Sequence, residues 1–111
     1  MIYVFDIDGT ICTKVEDGDY SKARPIKERI KIVNKLYDEG NTIIFQTARG
    51  MGRSGNSQAF AWQFFEKPTK EQLESWGVKY HQLFLGKPGG DIYIDDKGFP
   101  ADNYFDQMEK M

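Results

Sequence analysis

Short apolar runs punctuate an otherwise polar chain: Ile2-Tyr3-Val4-Phe5, Thr42-Ile43-Ile44-Phe45, Leu83-Phe84-Leu85 and Ile92-Tyr93-Ile94. Each is shorter than a helix and rich in β-branched or aromatic side chains, the pattern of strands buried in a parallel sheet. Between the first two runs the period changes. Ile26, Ile30, Val33 and Tyr37 recur at i, i+4, i+7 and i+11 with Leu36 beside them, and lysines hold much of the other face. This spacing predicts an amphipathic helix with Pro25 at its first position and Gly40 as its C-terminal cap. A second helix is predicted from Pro68 to Trp76, with Thr69 and Gln72 spaced as a capping box and Gly77 ending it. Glu16-Asp17-Gly18-Asp19 predicts the turn of a small hairpin flap. Gly50 to Lys67 is the least regular part, a glycine-rich loop followed by Ala59-Phe60-Ala61-Trp62-Gln63-Phe64-Phe65. Strands alternating with helices predict an α/β sandwich with a mostly parallel sheet, one domain over residues 1–111. In such sheets ligands sit at the carboxyl ends of the strands.

Composition narrows the functional classes. The chain has 111 residues, 40% hydrophobic and 29% charged, as expected of a globular protein. Its 15 basic and 17 acidic residues are spread along the length and sum to −2. No face-wide basic excess points to nucleic acid or a membrane, so a phosphate site must be local. Cys12 is the single cysteine, which rules out an intrachain disulfide and a cysteine-rich zinc site. No apolar run approaches the roughly 18 residues of a membrane span. With a core strand at the start and no leader pattern ahead of it, a cytoplasmic location is expected.

Candidate chemistry begins where the first run ends. Asp6-Ile7-Asp8-Gly9-Thr10 places two carboxylates two residues apart at a strand end, and Gly9 permits a sharp turn that brings backbone N–H groups toward an anion. One carboxylate there can attack phosphorus while the second manages the proton. Thr47, Lys87 and the Asp95-Asp96 pair fall at or near the same sheet end.

In this order and spacing the chain resembles the haloacid dehalogenase superfamily of aspartate-dependent phosphatases over essentially its whole length. The resemblance implies a nucleophilic Asp6, a general acid/base Asp8, phosphate binding by Thr47 and Lys87, and Mg²⁺ held by Asp6, the Asp8 backbone carbonyl and Asp95, with Asp96 beside it. Gly9, Thr10, Ala48 and Arg49 are the further candidates for substrate contact. Asp8 favours phosphoester chemistry, because the resemblance implies that members cleaving carbon–halogen or carbon–phosphorus bonds lack it. Tyr20 to Pro25, Arg49-Gly50-Met51, Gly86-Lys87-Pro88 and Tyr93 to Lys97, followed by Pro100 and Phe105, are similar to the small capsule-biosynthesis phosphatases. That branch implies a phosphosugar or polysaccharide-precursor substrate. Gly90 to Lys97 looks equally like the end of small 5′-nucleotidases, which keeps a nucleotide or a nucleic-acid 3′-phosphate as the alternative.

Three readings compete with these roles. Arg24, Arg49 and Arg53 either bind substrate phosphate or sit solvated, His81 is expected to be structural, and Cys12 a small buried residue. A receiver domain uses an acidic pair, a phosphorylated Asp, a Thr and a Lys in a different order, and Asp8 would hydrolyse the phosphoaspartate a receiver must keep. An inactive phosphate-binding relative is the other non-enzyme reading. No segment is long enough for a cap domain, and the aromatic run is expected to pack against another subunit, making a homo-oligomer whose Gly50–Gln58 loop lines the substrate entrance. Finally, only seven residues separate Lys87 from Asp95. If both flanking runs are parallel strands, Pro88 to Asp91 must descend the sheet, and at about 3.3 Å per residue that is barely enough. Either the third strand is very short or it runs irregularly.

Overall fold

The computed structural model describes residues 1–110. β1 (Ile2–Phe5), β2 (Thr42–Thr47) and β3 (Gln82–Leu85) form a parallel sheet in that order, with Phe5 level with Phe45 and Thr47 level with Leu85. Helices α1 (Lys27–Asp38) and α2 (Gln58–Ser75) connect them, and α3 (Ala101–Glu109) follows. Burial alternates along each strand. Phe5, Ile43, Phe45, Leu83 and Leu85 are buried, whereas Ile2, Val4 and Phe84 between them are exposed. The helices therefore cover one face, as successive right-handed crossovers in one direction require.

Both predicted glycine stops are present as chemistry. At Gly40 (φ 93°) the glycine N–H bonds Tyr37 O and the Asn41 N–H bonds Leu36 O; Gly77 (φ 69°) repeats the pattern with Glu74 and Leu73. These are paired Schellman bonds, which need a left-handed residue that glycine adopts without a Cβ penalty. The core of α1 is Ile30, Val33 and Leu36; of the predicted stripe, Ile26 is the N-cap and Tyr37 is half-buried.

Elsewhere the elements differ from expectation. Pro25 lies outside α1, in an antiparallel bridge with Cys12. The second helix begins at Gln58 rather than Pro68, capped by the Ser57 hydroxyl accepting from the Phe60 N–H. Pro68 sits inside it despite lacking an N–H. Ala61, Phe65, Thr69 and Leu73 recur every fourth residue, and this stripe, buried apart from the half-buried Phe65, carries the helix through the proline. Instead of a hairpin flap, Asp17 to Lys22 forms polar turns and one 3₁₀ turn, Tyr20–Lys22. Ile92-Tyr93-Ile94 is not a strand: it pairs with nothing and is exposed. The α3 helix, which periodicity did not signal, packs Phe105 against Phe5 with ring centroids 5.9 Å apart. Among the described residues no helix is long and apolar enough to cross a membrane.

Candidate active site

Asp6 leaves the carboxyl end of β1 and is half-buried. The Lys87 ammonium stands 3.9 Å from its Oδ1. Burial raises the Asp6 carboxyl above its ordinary pKa, and Lys87 offsets part of that rise. The turn that follows is closed by Ile7 O, which accepts from the Thr10 and Ile11 N–H groups, and by a Gly9 N–H bond to Cys12 O. Gly9 has φ 79°, and a Cβ there would stand 2.6 Å from Lys14 Cε, so the Lys14 stem lies folded over the turn. Lys14 also draws the Asp6 pKa down, which makes it a second cation near Asp6 that the sequence reading missed. It carries no motif, only a charge.

Thr47 ends β2, 1% exposed, and its hydroxyl oxygen accepts from the Arg49 N–H at 3.1 Å. This leaves the hydroxyl proton free to donate to a phosphoryl oxygen. The Lys87 N–H bonds Thr47 O at 3.1 Å, which anchors the lysine beside the same strand end. Asp6, Thr47 and Lys87 thus share one end of the sheet.

Asp8 and Arg49 form the tightest element. Arg49 Nε donates to Asp8 Oδ2 and Nη2 to Oδ1, both at 2.9 Å, a bidentate fork in which the arginine side chain is only 2% exposed. Tyr20 lies under the guanidinium, 4.7 Å from its ring centroid, and the Thr69 hydroxyl accepts from Nη1. Arg49 is therefore held by its own protein. Against the expectation of a direct substrate contact, its fork is filled by Asp8. The periodicity of α2 could have flagged Thr69 as inward-facing; Tyr20 opens the stretch to Pro25 that carries part of the resemblance, but nothing local pairs it with Arg49. Ala48 is half-buried and its carbonyl accepts from Met51 N–H.

The carboxylates expected to cluster do not. Asp95 and Asp96 are exposed, and the Asp95 carboxylate is engaged locally by the Lys97 N–H, which lowers its pKa. Among the described residues no three His, Cys, Asp or Glu side chains gather closely enough to hold a metal ion. Within one subunit Asp95 and Asp96 thus do not join Asp6 and Asp8, the four residues expected to hold Mg²⁺, and Asp8 is occupied by Arg49. The physical reason is that the fourth run is not a strand, so no sheet bonds hold the acidic pair level with the end of β1.

Two smaller expectations, for Cys12 and His81, fall into place around this. Cys12 is buried, and burial together with the neighbouring Asp8 pushes its thiol up to about 12, which keeps it protonated. His81 Nδ1 accepts from Ile43 N–H and its ring stacks on Tyr37, a structural role. Arg53 covers Phe65, and with Tyr20, Arg49 and Gln72 it walls an open cleft of roughly 670 Å³. Asp6 is not in that wall; the cleft meets the acidic motif only through Arg49.

No protein-family model matches the sequence, and no curated protein matches it. Solved structures do. A structural-genomics target from Vibrio cholerae has a TM-score of 0.82 at 22% identity, over 98% of this chain and 94% of the other. A D,D-heptose 1,7-bisphosphate phosphatase from B. bronchiseptica, crystallised with magnesium and phosphate, has a TM-score of 0.54 at 14% identity; it is matched by 98% of this chain, which spans 62% of it. The likeness at these identities is one of fold. The chain shares the α/β fold of these structures, built here on a three-stranded parallel sheet.

Proposed function

We propose that this protein is a phosphomonoester hydrolase working through an aspartyl-phosphate on Asp6, with a small phosphorylated sugar as its substrate class. The observation that carries the reading is the half-buried Asp6 at a strand end, faced by Lys87 at 3.9 Å and flanked by the Thr47 hydroxyl. In the first step an Asp6 oxygen bonds to phosphorus as the phosphorus–leaving-oxygen bond breaks, and Asp8 passes a proton to the departing alcohol. In the second step water attacks phosphorus, its proton goes to Asp8, and the Asp6 carboxylate is released with inorganic phosphate. Lys87 and Thr47 hold phosphoryl oxygens through both steps. For Asp8 to serve, one of its oxygens must leave the Arg49 fork, so Arg49 is a positioning residue that parks the acid.

Two carboxylates meeting a phosphate dianion repel unless the charge is offset. A divalent cation, Mg²⁺ in this reading, supplies that offset when bound. The magnesium and phosphate in the heptose bisphosphate phosphatase crystal support this choice of cation, and that protein's name supports a phosphosugar over a nucleotide. The cleft walled by Tyr20, Arg53 and Phe65 would take the non-reacting part of the substrate.

The test is hydrolysis of a generic aryl phosphate, then of phosphosugars, nucleotides and 3′-phosphorylated oligonucleotides, with and without Mg²⁺ and chelator. Magnesium-dependent turnover lost in Asp6→Asn is expected. Near-normal turnover by Asp6→Asn, or full activity in excess chelator, would overturn the mechanism. A phosphorylated protein that does not turn over would favour a receiver-like role.

A further inference from the structure

The fourth apolar run has no place in the subunit that carries it. Ile92 and Ile94 are 79% and 96% exposed. The Tyr93 hydroxyl donates to Pro88 O and accepts from Gly90 N–H, and its ring centroid lies 4.4 Å from the Lys87 ammonium, so the tyrosine holds the connector while both isoleucines stay in solvent. The outer edge of β1 is equally unpartnered, since β2 pairs only the inner one. An open strand edge beside an unpaired strand-forming segment is a state proteins avoid. The two also match in register. If Asp95 stood level with Asp6, Ile92 and Ile94 would stand level with Tyr3 and Phe5. Level residues of parallel neighbours share a face, as Phe5 and Phe45 do. The register that brings the acidic pair to Asp6 is thus the one that turns both isoleucines onto the covered face, where Tyr104 and Phe105 pack on Tyr3 and Phe5.

Chain length forbids a subunit from filling its own edge in this way. Lys87 is fixed beside Thr47. From there to Ile92 in that register the chain must cross three strand spacings, about 14 Å, and descend about six residues, roughly 20 Å. The direct distance is about 24 Å, while five extended peptide steps reach at most about 18 Å. A second copy of the chain has no such limit. The position of α3 says which end of β1 the segment belongs to: Asp102 is paired with Arg29 at 2.7 Å, and Arg29 donates to the Thr10 carbonyl. Asp95 lies five residues before Pro100 at the start of that helix, so it is tethered near the Asp6 turn of whichever subunit α3 packs on.

Resting on the phosphatase reading above, we propose that two copies exchange residues 92–110, each placing Ile92–Asp96 as the fourth strand on the other's β1 and its Asp95 and Asp96 at the other's Asp6. The hinge is Pro88-Gly89-Gly90-Asp91. Contacts of α3 with α1 and β1 are the same across the pair as within one chain, so exchange gives none of them up and adds strand bonds and two buried isoleucines. A connector too short to close is a known route to such swapping, and mutual exchange closes as a two-fold dimer.

The first test is solution mass by light scattering: a dimer at micromolar concentration is expected, and a strict monomer overturns the proposal. The second is complementation. Asp6→Asn protein and Asp95→Asn/Asp96→Asn protein, each inactive alone, are unfolded together and refolded at equal ratio. Half of the dimers are then mixed and each has one intact site, so about a quarter of wild-type activity returns. No activity beyond the sum of the separate variants overturns supply from the partner. The third needs no activity: about twelve Gly and Ser residues inserted between Gly89 and Gly90 let the segment reach its own β1, so the variant refolds at low concentration as a monomer. An unchanged dimer mass overturns the exchange. A wild type that is dimeric but hydrolyses no phosphoester removes the reaction and leaves the exchange; an active monomer does the reverse.

Discussion

Asp6 and Asp8 are chemically alike and two residues apart, yet the fold gives them opposite surroundings. Asp6 is desolvated with its nearest cation at 3.9 Å, while both Asp8 oxygens are engaged by a buried guanidinium. Because the folded Asp6 pKa is raised above the ordinary 3.8, its stabilising contribution is present below that value and lost as pH rises through the folded pKa. In metal-free buffer Asp6→Asn is therefore expected to melt higher than wild type at neutral pH, with the two curves converging below about pH 3.8 in a thermal scan. A variant that melts lower at neutral pH contradicts the assignment. Asp8→Asn should retain the nucleophile and slow turnover by about 10²–10⁴-fold, the range for a positioned acid/base. Arg49→Ala removes hydrogen bonds to a charged group and should cost about 1.5–3 kcal/mol in denaturant unfolding. Arg49→Lys should recover little of it, since an ammonium cannot reproduce the planar fork.

At the scale of elements, two short segments set the site. The Gly50 turn carries Arg49 past the end of β2 and against α2; its φ is 81°, and a Cβ there would stand 2.6 Å from Phe65 Cδ2. Gly50→Ala is expected to cost at least the roughly 1–2 kcal/mol of the left-handed conformation, seen as a Tm drop of several degrees, and to lower activity by displacing Arg49. An unchanged Tm would mean the Phe65 ring yields freely. The C-terminal helix is the other segment. Phe105 is fully buried against Phe5, so Phe105→Ala should cost about 3–5 kcal/mol in the same unfolding measurement. The aromatic run divides along α2: Phe60 and Phe65 are half-buried, with Phe65 edge-on to Tyr20, while Trp62 and Phe64 are 36% and 53% exposed. Helical period, not composition, decides which of them face inward.

For the whole molecule, an exchanged dimer ties stability to concentration. Folding that requires association gives a Tm that rises with protein concentration, whereas a monomer's does not move. Calorimetry over a hundredfold concentration range should therefore show an upward drift for wild type and none for the variant with a lengthened hinge. The apolar face formed by Ile2, Val4 and Phe84 is exposed in the single chain.

Much of this protein was legible along the chain because the physics is local. Three apolar runs of strand length became the three strands, the i, i+4, i+7 stripe became α1, and Gly40 and Gly77 stopped helices because a left-handed residue is needed there. The carboxylates of Asp6 and Asp8 were placed at a strand end by the same reasoning. What the tertiary structure decided depends on partners far away in sequence. Packing on a continuous stripe carried α2 through Pro68, against the local cost of a proline. The bond between Asp8 and Arg49 spans 41 residues, and no local pattern shows that the arginine's fork is filled by the protein itself. The fourth run had every local mark of a strand and still found no edge, because a connector's reach is a global distance: the same residues that spell a strand are tied, five residues earlier, to the far side of the sheet.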